Sequence, residues 1–514
     1  MSRRAGVLIP LFSIRSERSS WGLGEIPDLV PFAAWAARAG FRVVQILPVN
    51  EPSGGQASPY AARTAFAIDP AYIALDDVED FRAAGGLSAL PADLQARLAE
   101  ARASQTVRWD DVRAVKAAAL TLAYRHFAGA GAASARGAEF RAFARDHADW
   151  LEEYALFAAV HDELGSVAWT DWPAALRDRH PDALAAAQTR LASAIEERRY
   201  IQWLAHSQWH AARQSVASLG VEIMGDLPFL VAGDSADIWS RAHEFRLDLR
   251  TGVPPDAFSA DGQDWGLPVF RWDVIARGGH AWMRARARRA AELFGLFRVD
   301  HVVGLYRTFY RPGNGPHNGP GRFTPEREED QIRLGEHTLA LLDGRDEGHT
   351  GRVIAEDLGT VPDFVRASLQ RLRIPGYRVL RWEKDGPTFR DPASWPAVSV
   401  ATTGTHDTES LADWFDDLEA PERAAFLRIP ALAALRERSP ARFDDDVRDT
   451  VLSCIFRSAS DLVLLPFQDA LGARERINVP GTVNSENWTY RTPAPIEAVG
   501  ETDRLAALAR RSGR

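Results

Sequence analysis

One cysteine, Cys454, stands in 514 residues, so an internal disulfide is excluded and a reducing compartment is expected. It falls in an expected helix over 446–460, where burial as a small apolar side chain is a simpler role than reactivity. No stretch approaches the roughly 18 uncharged apolar residues of a membrane span. The segment Arg3-Arg4 followed by Gly6-Val7-Leu8-Ile9-Pro10-Leu11-Phe12 imitates a secretory leader, but it is short, contains Pro10 and meets Arg15 and Arg18 without a small-residue cleavage site. The reading is a cytoplasmic protein with no membrane partner. Long blocks of like charge are also missing: 61 basic and 70 acidic residues give a net charge of −9, without the footprint of a nucleic-acid partner. There is no Cys pair, and no other His lies at ligand spacing from the pair His406-Asp407, so neither a metal nor a cofactor is expected. An internal repeat is absent. What remains is ordinary globular material, 46% hydrophobic and 25% charged, long enough for one large core with insertions.

Eight candidates for buried strands stand out, mainly apolar and short, over 7–12, 43–47, 221–224, 296–299, 353–355, 377–380, 398–401 and 462–467. Mainly apolar runs of this length suit buried parallel strands. Helix-like stretches separate most of them. The stretch 26–39 has Pro27 in its first turn and Gly40 past its end, 281–293 stops before Gly295, and 363–372 follows Pro362. Eight strands alternating with helices predict an α/β chain, a (β/α)8 TIM barrel, as one domain over 1–514. The interval between the second and third runs is too long for a loop, which predicts a mainly helical insertion over 74–201. Within it 101–160 and 173–204 read as helix, and Trp109, Trp150, Trp169 and Trp172 read as its core anchors in preference to substrate contacts. A second, loop-rich insertion is expected over 227–275, and a surface loop over 312–321.

Three strand ends carry acids: Phe297-Arg298-Val299-Asp300-His301, Val353-Ile354-Ala355-Glu356-Asp357 and Thr403-Gly404-Thr405-His406-Asp407. In a (β/α)8 barrel the C-terminal strand ends converge on the face where chemistry occurs. Acids from three strands suggest glycosidic bond chemistry, which needs positioned carboxylates and no metal. Arg298 lies two residues before Asp300, hence on the same side of the strand, and a guanidinium there favours an ionised, nucleophilic carboxylate. Glu356 suits the opposite task, proton donation, if a less polar surrounding or the like charge of Asp300 keeps it protonated. Asp357 points to the other face and reads as the cap of the next helix. His406 and Asp407 can hydrogen-bond neighbouring sugar hydroxyls; the alternative, half of a metal site, lacks further ligands. Asp226, in Met224-Gly225-Asp226-Leu227-Pro228-Phe229, reads as a rim acid bonding its neighbours, with a catalytic or substrate contact as the other role. Two roles fit Trp265 on its turn-dense loop: stacking on a sugar ring, or anchoring the loop.

Together these motifs resemble glycoside hydrolase family 77, the 4-α-glucanotransferases called amylomaltases or disproportionating enzymes. The similarity runs nearly end to end. It includes Ser58-Pro59-Tyr60, Gly225 to Phe229, 252–256 with Gly262-Gln263 and Trp265-Gly266, and Arg298 to His301. It continues through Ala355-Glu356-Asp357-Leu358-Gly359, Gly404 to Asp407, Gln468-Asp469, Asn478-Val479-Pro480-Gly481-Thr482 and Asn487-Trp488. The resemblance implies a barrel with inserted subdomains and transfer of α-1,4-glucan segments without a cofactor. It implies Asp300 as nucleophile, Glu356 as acid/base and Asp407 as transition-state stabiliser. Arg298, His301 and His406 would support them, and Tyr60, Asp226, Gln263, Trp265 and Asn478 would complete the contacts with the glucan. Departures lie beside the active face: Val302-Val303 where the family often has Phe-Arg, Leu267 where Asn is usual, and Thr408-Glu409 where Asn-Asp is common. The rival activities are an amylase-like retaining hydrolase with the same acids and, more distantly, a glucan-binding protein without activity.

Overall fold

All eight expected runs are strands, and they close into one parallel barrel. A computed structural model describes residues 3–18, 20–54, 58–255, 261–317, 319–345, 351–482 and 484–514. In chain order its strands are β1 (Arg4–Leu8), β2 (Val43–Gln45), β3 (Glu222–Leu227), β4 (Phe245–Val253), β5 (Gln263–Phe270), β6 (Leu296–Val299) and β7 (Thr308–Pro312). They continue with β8 (Arg322–Thr324), β9 (Val353–Ala355), β10 (Gly376–Val379), β11 (Lys384–Asp385), β12 (Thr388–Phe389), β13 (Ser399–Thr402) and β14 (Leu462–Pro466). The closed barrel runs β1-β14-β13-β10-β9-β6-β3-β2, with β1 pairing β2 on one side and β14 on the other.

Side-chain alternation gives the barrel two apolar layers. Val43, Met224, Leu296, Ile354, Tyr377, Val379, Val400, Leu462 and Leu464 pack together inside it. Their strand neighbours Val44, Phe297, Val299, Val353, Ala355, Ala401, Val463 and Leu465 join the larger core shared with the surrounding helices. The same alternation positions the site. Leu296 points inward, so Arg298 and Asp300 follow on that side; Met224 leads to Asp226, and Ile354 to Glu356. Gly225 lies on the outward side of β3, where a Cβ would come within 2.3 Å of the Phe294 ring. That close approach of strand to ring requires glycine.

Local differences from expectation have physical causes. The first strand is β1, Arg4–Leu8, ending earlier than the run over 7–12, because Pro10 cannot donate to a ladder and Leu11–Ser13 turn as a short 3-10 helix. The interval 74–201 holds separate helices, among them Ala92–Ala103, Trp109–His126, Ala135–Asp146, Ala148–Glu163 and Pro181–Arg190. Its last helix, Ala192–Ser218, continues past Ile201 to deliver the chain to β3. Trp150, Trp169 and Trp172 are buried there, and Trp109 packs edge-on against Phe12. The stretch 227–275 is less loop-like than its turn formers suggest. β4 and β5 form an antiparallel pair extended by β7 and β8 into a four-stranded sheet over the barrel mouth. Its signal is weak because charged residues dominate the exposed middle of β4. The expected surface loop over 312–321 joins β7 to β8. Residues 256–260 of the turn-dense loop and Asn318 lie outside the described residues. Cys454 is buried in the helix Asp445–Phe456, and burial pushes its thiol up to about 12, which removes thiolate chemistry at neutral pH. Among the described residues no helix is long and apolar enough to cross a membrane.

Candidate active site

The C-terminal strand ends open into a cleft of about 750 Å³ that brings together Tyr60, Gln263, Trp265, Arg298, Asp300, His301, Glu356, His406, Asp407 and Asn478. Asp226 lies just beneath, fully buried, and reaches the cleft through its partners.

Arg298 organises the floor. Its Nη1 lies 2.8 Å from both oxygens of Asp226. Its Nη2 lies 2.8 Å from Asp300 Oδ1 and 4.0 Å from Glu356 Oε2. Burial opposes the charge on this guanidinium, yet Asp226 and Asp300 outweigh it and hold Arg298 protonated. A carboxylate that pairs with a buried Arg in this way fixes the cation; without it Arg298 would be a stranded buried charge. Two carboxyl oxygens this close to one nitrogen also lie near each other. That arrangement admits the ~5–5.5 Å spacing of retaining sites.

Glu356 sits in a different setting. Its Oε2 accepts the His301 backbone N–H at 2.8 Å, and its Oε1 accepts that of Leu358 at 3.0 Å. Burial raises its carboxyl to about 7; Asp300 adds to that rise, while Arg298 and the two N–H donors oppose it. The two acids thus differ by environment, which is how paired carboxyls take opposite tasks. The like charge of Asp300 contributes as the sequence suggests, but burial is the larger cause. The backbone of His301 has φ +45°, a left-handed conformation uncommon for a residue with a Cβ. That turn aims the His301 N–H at the Glu356 carboxyl, while the next N–H, of Val302, reaches the Glu356 carbonyl at 3.2 Å. Burial pushes the His301 imidazole down to about 4, so it is neutral at pH 7.

Asp357 does not cap the following helix. That helix, Asp363–Leu372, has Pro362 at its N-cap. Asp357 instead accepts the Tyr377 N–H at 2.6 Å and pairs with Arg378 at 3.2 Å. Its carboxyl fills the space where a Cβ on Gly376 would fall. It therefore ties β9 to β10 and keeps Glu356 at the strand end.

The third acid lies on the loop after β13. Asp407 accepts from Asn478 Nδ2 at 2.6 Å, and its carbonyl accepts from Arg476 at 2.8 Å. Its side chain is 39% exposed against 25% for Asp300 and 13% for Glu356, so it is the acid most open to the cleft. His406 stacks on Tyr60, with ring centroids 5.4 Å apart. Tyr60 donates its hydroxyl proton to Asp226 at 2.7 Å and accepts from His406 Nε2 at 3.0 Å. This network places the His406 proton on Nε2, 3.3 Å from Asp407 Oδ2. Below the loop, buried Asp469 accepts from the Thr403 hydroxyl at 2.5 Å and from the Leu411 N–H at 2.7 Å, which fixes where His406 and Asp407 emerge.

Trp265 lies on β5 and meets His301 edge-to-face at 4.8 Å. Its indole N–H donates to Gln263 Oε1 at 3.0 Å. The unusual residues have visible roles: Val302 is fully buried, Val303 lines the cleft, Thr408 closes the turn back to Thr405, and Glu409 pairs with Arg381 at 2.8 Å. Leu267 packs against the main core. Sequence reasoning missed Arg381, Arg476 and Trp488 as parts of the cleft wall. Arg476 had a signal, standing two residues before Asn478 and hence able to share its side. Trp488 was legible only inside the Asn487-Trp488 motif, and Arg381 carried no signal.

A family model described as 4-alpha-glucanotransferase matches residues 9–496. The 4-alpha-glucanotransferase of Thermus thermophilus is 33% identical over 474 residues, covering 90% of this chain and 89% of its own length. The 4-alpha-glucanotransferase of Chlamydia trachomatis is 30% identical over 537 residues, covering 99% and 94%. A solved amylomaltase from Streptococcus agalactiae, in complex with acarbose, superimposes with a TM-score of 0.84 over 100% of this chain and 99% of that one. At 23% identity that last likeness speaks to the fold. On the length of the match and the identity of these relatives, the chain belongs to the 4-alpha-glucanotransferase family, glycoside hydrolase family 77.

Proposed function

We propose that this protein is a retaining 4-α-glucanotransferase that moves segments of α-1,4-glucan from a donor chain to an acceptor sugar. The single observation that carries the mechanism is the placement of Asp300 and Glu356 about one Arg298 nitrogen, in surroundings that set them apart. The Asp300 carboxylate attacks the anomeric carbon; the glycosidic C–O bond breaks, and the departing oxygen takes the Glu356 proton. An ester between the sugar and Asp300 results. Glu356, now a carboxylate, removes a proton from the 4-hydroxyl of an acceptor, whose oxygen attacks the same carbon and releases Asp300. Two inversions leave an α-bond. Asp407, open to the cleft, and His406, nearly buried in its wall, bind sugar hydroxyls as charge develops on the ring, and Tyr60, Asp226, Arg298 and Asn478 hold them in place. Residues 1–514 act as one catalytic domain, with 74–201 and 227–275 inserted into it. The lone reduced thiol fits a cytoplasmic enzyme.

Incubation with maltotriose tests the reading. Transfer yields glucose and a ladder of longer oligosaccharides without a net gain of reducing ends. Shorter products alone, with reducing ends rising in step, identify a hydrolase; no product at high enzyme concentration identifies a binding protein.

The proton economy sets a pH dependence. Glycosyl departure requires protonated Glu356, a form present below its value of about 7 and lost as pH rises through it. kcat/KM on a glucan donor is expected to fall on the basic side with an apparent pKa near that value, and initial rates across pH read it directly.

Trp265 faces the cleft from the β5 edge and backs onto His301. An indole there stacks on the acceptor sugar and keeps water from the glycosyl ester. Trp265→Ala is expected to raise the ratio of glucose release to disproportionation several-fold on maltotriose. A lower melting temperature with an unchanged ratio limits Trp265 to supporting its own loop.

A further inference from the structure

Away from the cleft, three side chains from separate elements bring their donor atoms together. His147 lies in the turn between Ala135–Asp146 and Ala148–Glu163, His206 on Ala192–Ser218 and Glu292 near the end of Ala281–Leu293. Their nearest ligand atoms all fall within 4.8 Å of one another. Glu292 Oε1 is 3.4 Å from His206 Nδ1 and 3.6 Å from His147 Nε2. Neither contact is a hydrogen bond, and His206 Nδ1 is a buried nitrogen without a hydrogen-bond partner. Bonds of ~2.0–2.1 Å from a tetrahedral zinc to nitrogen and oxygen imply edges of about 3.3–3.4 Å between ligands. Two edges of the cluster already have nearly that length.

We propose that His147, His206 and Glu292 form a binding site for a divalent transition-metal ion of the zinc type. Two imidazoles and one carboxylate are the donor set such an ion favours, and the partly exposed side chains leave its fourth position to water. The surroundings hold the donors ready. Phe143 packs against both rings, with centroids 4.6 Å from His147 and 5.0 Å from His206. Arg289 donates to the other Glu292 oxygen, Oε2, at 2.7 Å, which orients the carboxylate and leaves Oε1 turned to the imidazoles. His210 stacks beside His206, but its Nε2 is engaged by Gln214 at 2.8 Å and stays outside the tripod. The ion would fasten the helical insertion to Ala281–Leu293, the helix that leads directly into β6 and Arg298.

The full-length protein, stripped with a chelator and dialysed, is titrated with Zn²⁺ alone by calorimetry, and separately with Co²⁺ followed by visible absorption. One Zn²⁺ per chain, a rise in melting temperature with Zn²⁺, and the visible bands of a four- or five-coordinate cobalt site are expected. His206→Ala and Glu292→Gln should each lose about 100-fold or more in affinity, beyond the 10–100-fold typical of an outer-shell partner, and should lose the cobalt bands. His210→Ala should keep both. Circular dichroism of the metal-free variants establishes that each is folded. No saturable one-to-one binding by the wild type, or undiminished binding by His206→Ala and Glu292→Gln, overturns the proposal.

Discussion

Asp300→Asn is expected to lower turnover of maltotriose by ~10,000-fold or more, the scale on which removal of a covalent nucleophile is felt. The amide cannot form the glycosyl ester, and no neighbouring carboxylate replaces it. Asp226 is buried and held by Arg298 and Tyr60, while Asp407 lies on a different loop. The substitution leaves the fold in place. Arg298 keeps both contacts with Asp226, so no buried charge is stranded, and Asp300 is already partly exposed at the cleft floor. Rates on maltotriose, with circular dichroism and melting as controls, check the prediction. A residual rate within tenfold of the wild type removes Asp300 from the role of nucleophile.

The second large effect is a dependence on the donor. Glu356→Gln is expected to slow cleavage of glucan donors by ~100- to 10,000-fold, the range of a lost general acid. With an α-glucosyl or maltosyl fluoride, whose leaving group needs no proton, the first step should stay near the wild-type rate and appear as a burst of fluoride. The second step remains slow because the acceptor hydroxyl has lost its base. The structure adds a refinement. Both carboxyl oxygens of Glu356 accept backbone N–H groups, so a Gln at this position turns its own NH₂ toward one of those donors. That buried N–H goes unsatisfied, at a cost of about 1–3 kcal/mol in stability. Glu356→Ala removes both acceptors together with the acid and brings no amide into the site; a fluoride burst shared by the two variants therefore follows from the lost acid and not from the geometry of the Gln amide. Equal losses on glucan and fluoride donors, in both variants, contradict the acid/base assignment.

Much of this was legible in sequence because barrel physics is local. Parallel strands covered on both faces need short apolar runs; 353–355 and 462–467 have them unbroken, and 296–299 is interrupted only by Arg298. Alternation then fixes which side chain at a strand end faces inward, as with Arg298, Asp300 and Glu356. Beyond the strand ends that rule has no reach. The same alternation set Asp357 outward correctly, but its partner is Tyr377 on the next strand, while a helix start was the nearest feature in sequence. The sheet of β4, β5, β7 and β8 pairs segments on either side of β6, a register that no local pattern encodes. Arg381 reaches the cleft because Glu409 and the Thr403 carbonyl hold it, contacts made across separate loops. Burial was likewise invisible in advance. The rise of Glu356 to about 7 comes mainly from how completely the surrounding loops enclose it, which becomes readable only once the barrel mouth is assembled.

The account rests on a sugar ester formed at one named side chain, and trapping that ester tests it most directly. Glu356→Gln combines a competent first step on an activated donor with a slow second one, so the intermediate should accumulate when the variant is mixed with maltosyl fluoride. Intact-protein mass spectrometry of the quenched mixture should show one maltosyl unit per chain, and peptide mapping should place it on the peptide containing Asp300, with fragmentation locating it at that residue. Addition of an anionic nucleophile such as azide should discharge it. A maltosyl unit on any other acid, or rapid fluoride release with no covalent species at any quench time, contradicts the double displacement through Asp300.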